Sequence, residues 1–505
     1  MHDHTVPRGT DARRHAVVIG SGFGGLAAAV RLGAKGYRVT VLERRDAAGG
    51  RAYVIHDQGF VFDSGPTIIT APFLFEDLWR LAGRKLEDDV ALRRLTPAYE
   101  LRFSDGYRLS CFADAALMRA EVGRHFPQEL AGYDAFMKQS AAICAVAFEQ
   151  LGHLPFDTPW DMLRLVPSIL RLHGLRSLHG LVAGCVRDPH LRFALSFHPL
   201  FVGGNPFTTS AIYGLIAHLE QRWGVHFAMG GTGSLVGGLV KLIQLQGNAV
   251  RYRSEVAQIL VEGGRARGVR LADGEQIAAD IVVSNADSAW TYRNLLSETR
   301  RRHWTDRRVA RSRYSMGLFV WYFGTSRTYP EVPHHLILVG PRYEALLRDI
   351  FSRKHLAEDF SLYLHRPTAT DPSLAPAGAD AFYVLAPVPN LKGHTDWRQE
   401  AEPYRRRIEA FLEANVLPGL SKSVVTSHVM TPLDFQTDLL AYQGAAFGME
   451  PILSQSAWFR PHNRSEDVEH LYLVGAGTHP GAGLPGVLSS ARILDQVVPD
   501  ASQLV

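Results

Sequence analysis

HAVVIGSGFGGLAAAVRLGAKGYRVTVLERR, residues 15–45, is the stretch that decides the fold. The apolar HAVVI predicts a strand, the glycines a tight turn, and the alanine-rich run a helix stopped at Gly36. YRVTVL then predicts a second strand, which completes a βαβ unit. Gly20, Gly22 and Gly25 have the GxGxxG spacing. The first permits the turn, the second lets a pyrophosphate approach the backbone, and the third lets helix and strand touch. The free N–H groups and dipole of the helix N-terminus favour phosphate charge. Glu43 closes the second strand 18 residues past Gly25, where a carboxylate accepts hydrogen bonds from ribose hydroxyls, and Arg44 beside it is a further candidate contact. This order predicts an α/β, Rossmann-like dinucleotide-binding domain.

The next residues specify the dinucleotide. Gly49, Gly50 and Arg51 follow the acidic strand and lead into GFVFDSGPTIIT at 59–70. The run resembles the flavoprotein amine-oxidase superfamily, and the resemblance implies FAD. It places the glycine pair and Arg51 along the flavin's pyrophosphate, and Asp63, Gly65 and Pro66 at the start of the segment beside the ring. Without it, Arg51 would read as an ordinary surface arginine.

Composition narrows the remaining classes. At 505 residues the chain can bury a large core. A net charge of +4, dispersed along the sequence, does not point to nucleic acid. Cys111, Cys144 and Cys185 have neither CxxC nor zinc-ligand spacing, so no metal site is expected, and their odd number argues against a disulfide framework. A reducing, cytoplasmic compartment follows. The polar opening MHDHTVPRGTDARR lacks the apolar core of a signal peptide, and no stretch offers 18 unbroken apolar residues.

Residues 72–150 alternate helical patterns with short strands such as AYELRF and YRLSCF. From 160 to 185, Met162, Leu165, Ile169, Leu172, Leu175, Leu178 and Leu181 recur at three-to-four spacing among Arg164, Arg171 and Arg176. This amphipathic, basic stretch, broken by Pro167 and Gly174, reads as surface helices packed on the core or as a membrane-surface contact. From Gly230 a glycine-rich entry, a helix and strands joined by GG and DG turns read as a return to the nucleotide domain. Superfamily resemblance puts the strand at Val256 against the adenine; a plain sheet valine is the other reading. Asn285 and Asp287, in the polar turn after ADIVVS, are expected to hold a loop. LYLVGAGTHPGAGLPGVLSSARILDQVV at 471–498 repeats strand, glycine turn and helix, the helix starting near Pro485. Gly475, Ala476 and Gly477 therefore pair with the opening turn as one bipartite cofactor site.

Longer motifs resemble one family closely. FHPLFVGGNPF at 197–207, HHLILVGPRYEALLRDIF at 334–351, LYLHRPTATDPSLAP at 362–376, YVLAPVPNL at 383–391 and EPILSQSAWFRPHNR at 450–464 look like those of bacterial-type phytoene desaturases. The resemblance covers about residues 15–495. It implies a discontinuous FAD domain of 14–75, 228–300 and 465–498, and a substrate and membrane-associated domain of 76–227 and 301–464, a mixed sheet with helices. It also implies conversion of 15-cis-phytoene to neurosporene or lycopene through partly desaturated carotenes, with hydride passing to flavin N5. Oxygen or a membrane quinone would reoxidise the flavin, and the protein would sit peripherally on the cytoplasmic face of the inner membrane. Two departures stand out: a glycine is expected near Ser489, and bulkier or charged residues around Ser140 to Ala142. Another carotenoid desaturase or isomerase would share every FAD residue, and a flavin-free prenyl-binding escort protein would share the fold.

No motif marks a catalytic base. Asp63 and His479 are candidates by location, each read first as structural. No cysteine follows residue 185, so a cysteinyl flavin bond near the C-terminal turn is not expected and the FAD should be noncovalent.

Overall fold

Five parallel strands with both faces covered form the first sheet of the computed structural model, which describes residues 13–504. The polar opening, residues 1–12, lies outside the described residues. His15–Ile19 is central, flanked by Ile281–Ser284 and Arg38–Leu42, with Leu471–Leu473 and Ala249–Arg251 outside them. The register sets Val17 beside both Val282 and Thr40. Every residue of His15–Ile19 is buried, as the continuous apolar reading of such strands requires. One face carries the helices Phe23–Ala34, Thr232–Leu245 and Leu484–Val497 in a single core. The other packs on an antiparallel three-stranded sheet, Val256–Glu262, Arg265–Leu271 and Gln276–Ala278, whose turns are Gly263-Gly264 and Asp273-Gly274. Strands of the main sheet thus come from three separated stretches of chain.

The second layer is a mixed seven-stranded sheet in the order Val424–Met430, Gly317–Thr325, Asp380–Val388, Leu362–His365, His335–Val339, Tyr99–Phe103, Arg108–Cys111. Gly317–Thr325 pairs antiparallel with Asp380–Val388 along its whole length. Its side chains alternate: Phe319, Trp321 and Phe323 pack under the helix Trp397–Asn415, while Leu318, Val320 and Tyr322 face the other core. Both faces are apolar, so all nine residues of this strand are buried.

One expectation is corrected. The helix Pro159–Arg171 runs through Pro167, and the break comes at His173, which takes a positive φ of 56°, and Gly174. Pro167 is tolerated because it is exposed, and the carbonyl it strands belongs to Leu163, on a turn that faces solvent. Among the described residues no helix is long and apolar enough to cross a membrane.

Gly25 lies on the first turn of Phe23–Ala34, where an added Cβ would collide with the Gly20 carbonyl oxygen. Gly25→Ala is expected to cost about 1–3 kcal/mol through this overpacking, read as a lower denaturant midpoint at unchanged slope.

Candidate functional site

Three glycine turns meet at the carboxyl ends of the parallel strands, where open α/β sheets bind ligands. The Gly20 N–H donates to the Leu42 carbonyl (2.8 Å) and the Gly49 N–H to the Ser21 carbonyl (3.0 Å). Gly22 and Gly49 form a bridge, and a Cβ on Gly50 would stand 3.2 Å from the Gly22 Cα. The C-terminal turn closes the set through Asn285. A Cβ on Gly22 would lie 3.0 Å from its amide nitrogen, and one on Gly475 would lie 2.6 Å from its amide oxygen.

Gly20, Gly22, Glu43, Arg44, Gly50, Arg51, Val256, Gly475 and Ala476 all line one continuous cavity of about 640 Å³. Gly25 and Gly477 stand behind that wall. Gly25 packs helix against turn, and a Cβ on Gly477 would meet the Ser288 side chain (2.6 Å), so both serve close packing. Glu43 is already engaged: one oxygen accepts from the Ser21 N–H (2.9 Å) and hydroxyl (2.6 Å), the other from the Arg45 N–H (2.9 Å). It therefore shapes the loop that it also helps to line. Arg51 has a buried Nε with no partner among the described residues, its pKa is lowered by burial, and Asp287 is the counter-charge opposing that shift. A buried guanidinium that lines the cavity beside side-chain-free backbone fits a phosphate-bearing dinucleotide. Asp287 itself caps Ser288–Trp290, accepting from the Ala289 and Trp290 N–H groups.

Asp63 does not reach the cavity. Its carboxylate accepts from the Thr232 N–H (2.8 Å) and Gly233 N–H (3.3 Å), which caps the helix Thr232–Leu245, and burial raises its pKa to about 6. His479 lines the cavity, packs edge-on against Phe156 (4.7 Å), and is pushed down to about 3 by burial, which keeps the ring neutral.

Away from the glycine turns the cavity becomes an apolar chamber, bounded by Phe193, Phe197, Leu200 and Phe201 and by Met162, Leu165 and Ile169 of the helix Pro159–Arg171. Part of its wall is polar: the Thr67 hydroxyl meets the Tyr383 (2.7 Å) and Tyr363 (3.2 Å) hydroxyls, and Tyr363 meets His335 Nδ1 (2.7 Å). Behind it His334, His335 and His365 bring ring nitrogens within 4.8 Å of one another. His335 Nδ1 and His365 Nδ1 are 3.2 Å apart and share a hydrogen bond in which one ring donates and the other accepts, while the Nε2 atoms of all three rings are buried without a partner among the described residues. Burial depresses all three pKa values and keeps the rings neutral. This cluster escaped the sequence reading because strand pairing of His335 with His365, not sequence spacing, assembles it.

The flavin-containing amine oxidoreductase family matches residues 23–493. The neurosporene-forming phytoene desaturase of Rhodobacter capsulatus is 47% identical over 98% of this chain and 95% of its own length. The lycopene-forming phytoene desaturase of Pseudescherichia vulneris is 48% identical over 95% of this chain and 98% of its own length. The chain belongs to the bacterial-type phytoene desaturases. It is an FAD-dependent oxidoreductase of the flavin-containing amine oxidoreductase family. Solved structures share the fold: a putrescine oxidase variant aligns with TM-score 0.66 at 14% identity over 97% of this chain and 98% of its own. A Methanosarcina mazei oxidoreductase aligns with TM-score 0.61 at 19% identity, over 95% of this chain and all of its own.

The Asp63 cap carries a pH signature. The folded protein holds its proton more tightly than the unfolded chain, so the contribution is fully present below pH 3.8 and is lost as pH rises through about 6. Asp63→Asn removes this dependence. The stability of wild type relative to that variant should fall by up to about 3 kcal/mol across this window, measured by urea unfolding at fixed pH steps.

Proposed function

We propose that this chain desaturates 15-cis-phytoene to neurosporene or lycopene, with noncovalent FAD lying along Gly20, Gly22, Glu43, Arg44, Gly50, Arg51, Val256, Gly475 and Ala476. Segments 14–75, 228–300 and 465–498 form the FAD-holding unit, and 76–227 and 301–464 the substrate unit. The observation that carries this reading is the single cavity, glycine-lined at one end and apolar at the other. Its division matches a cofactor with two phosphates and a hydrocarbon with no polar handle. The names of the relatives, neurosporene-forming and lycopene-forming phytoene desaturases, support the substrate and leave the two products side by side.

Bound FAD supplies the acceptor for a hydride, at N5. The protein's own part is to bury the polyene, at about 25 cal/mol per Å² of apolar surface, and to exclude water from the reacting carbons. No cysteine lines the cavity, in keeping with a flavin held without a covalent bond. Oxygen or a membrane quinone reoxidises it.

The helix Pro159–Arg171 suits entry from a bilayer. Met162, Leu165 and Ile169 line the chamber, while Trp160, Leu163, Val166 and Leu170 are exposed at 68, 57, 43 and 55% on its outer side. One helix thus presents apolar surface both to the cavity and to the outside. Arg164, Arg171 and Arg176 nearby favour anionic lipid by about 1 kcal/mol each. On this reading the protein sits peripherally on the cytoplasmic face of the inner membrane.

Purified protein reconstituted with FAD and incubated with phytoene in phosphatidylglycerol vesicles should convert phytoene to neurosporene or lycopene, identified by chromatography. A redox-neutral isomer, or a different desaturation product, would instead favour another carotenoid enzyme of the same family. Acid precipitation of the holoprotein should leave all the yellow colour in the supernatant. Trp160→Asp combined with Leu163→Asp should cut co-sedimentation with the same vesicles at least tenfold while the flavin spectrum stays unchanged.

A further inference from the structure

Positive charge is less dispersed over the surface than the sequence alone suggests. Between residues 293 and 313 eight arginines stand against two acids, Glu298 and Asp306, in a chain whose net charge is +4. Half of them are engaged. Arg293 and Arg301 share Asp306 (3.7 and 3.1 Å), Arg313 pairs with Glu450 (2.9 Å), and the Arg308 guanidinium lies over the Trp304 ring (3.8 Å). Arg300, Arg302, Arg307 and Arg311 are exposed and make no ion pair among the described residues. The nearby acids are occupied elsewhere: Glu298 accepts from Gln258 (2.6 Å), and Glu466 from the Trp304 indole. Asp467 accepts from the Arg302, His303 and Trp304 N–H groups (2.6, 2.9 and 2.9 Å). These bonds fix the backbone that displays the arginines, so little backbone ordering remains to oppose binding. On the short helix Asp306–Arg311, Val309 is buried, while Arg307 and Arg311, one turn apart, share the outer side. Like charges at that spacing repel, and a negatively charged surface relieves the repulsion.

We propose that Arg300, Arg302, Arg307 and Arg311 form a docking surface for the headgroup phosphates of anionic phospholipid, a second membrane contact that rests on the bilayer reading of the helix Pro159–Arg171. The two surfaces are continuous. That helix packs on the turn Ala457–Phe459, and Phe459 is itself an exposed aromatic side chain. Arg308, on the same short helix as Arg307 and Arg311, reaches the Phe459 carbonyl oxygen (3.5 Å). An apolar helix face bordered by unneutralised cations suits the bilayer interface. Apolar side chains enter below the headgroups there, and planar guanidiniums bind phosphate through paired N–H donors. An acidic protein or a nucleic acid would use the arginines and leave the apolar face beside them in water. Two separate contacts also set the tilt of the protein, which holds the chamber wall of Met162, Leu165 and Ile169 toward the lipid.

The test is co-sedimentation of the FAD-loaded protein with phosphatidylglycerol vesicles and with phosphatidylcholine vesicles, at low and at high salt. Wild type should prefer phosphatidylglycerol, and salt should shrink the preference. A variant carrying Arg300→Gln, Arg302→Gln, Arg307→Gln and Arg311→Gln should bind phosphatidylglycerol about 10²-fold more weakly. It should bind phosphatidylcholine as wild type does and keep its flavin spectrum. Trp160→Asp combined with Leu163→Asp should instead weaken binding to both lipids and keep the preference between them. A fourfold variant that binds phosphatidylglycerol like wild type overturns the arginine surface and leaves the helix reading standing. Retention of wild type on immobilised polyglutamate or single-stranded RNA, lost in a fourfold variant whose lipid binding is unmoved, assigns the surface to another macromolecule and overturns it too. A wild type that binds neither vesicle overturns the membrane reading and this proposal with it.

Discussion

The contact between glycine turns, where backbone meets backbone with no Cβ between them, is the constraint on which the rest of the structure depends. Gly22 bridges Gly49, Gly50 rests against Gly22, and Gly475 reaches the same place through Asn285. These turns end strands and begin helices far apart in the chain. Their closeness fixes the parallel sheet, the helices over it and the floor of the cavity together. A side chain at any of these positions would separate the turns and fill the space that a pyrophosphate needs.

Charge is distributed along the cavity with equal consequence. The glycine end is lined by Arg44, Arg45 and Arg51 together with Glu43, Glu255, Asp287 and Asp438; the far end is walled by aromatic and aliphatic side chains. Where titratable groups do occur around the apolar part, burial suppresses their charge: His334, His335, His365 and His479 are all pushed down, and Tyr99, Tyr363 and Tyr383 are pushed up. A neutral wall lets a hydrocarbon bind without stripping water from ions. Glu220 also lines the cavity; its carboxylate accepts from the Tyr99 phenol (2.8 Å), whose oxygen meets His198 Nε2 (3.1 Å).

The helix Pro159–Arg171 shows how one element can satisfy two apolar environments. Its inner residues complete the chamber, and its outer residues are left uncovered by the other described residues. The break after it, at His173 and Gly174, turns the chain back toward the core, and Ser210 holds that return by donating to the Gly174 carbonyl (2.6 Å).

Residues 15–45 and 471–498 by themselves determined the strand, turn and helix units, because a glycine spacing beside an apolar run constrains local backbone strongly and few structures satisfy it. The long motifs at 197–207, 334–351 and 450–464 carried the family. Only the tertiary structure decided which candidates share the cavity. It turned Asp63 away to cap a helix, set Gly477 behind the wall against Ser288, and carried the Pro159–Arg171 helix through a proline. Only the fold, too, brought Tyr99, His198 and Glu220 together and joined His335 to His365. Those residues come from separate strands and helices, and their contacts depend on sheet register and helix packing, long-range constraints that leave no local mark on the sequence.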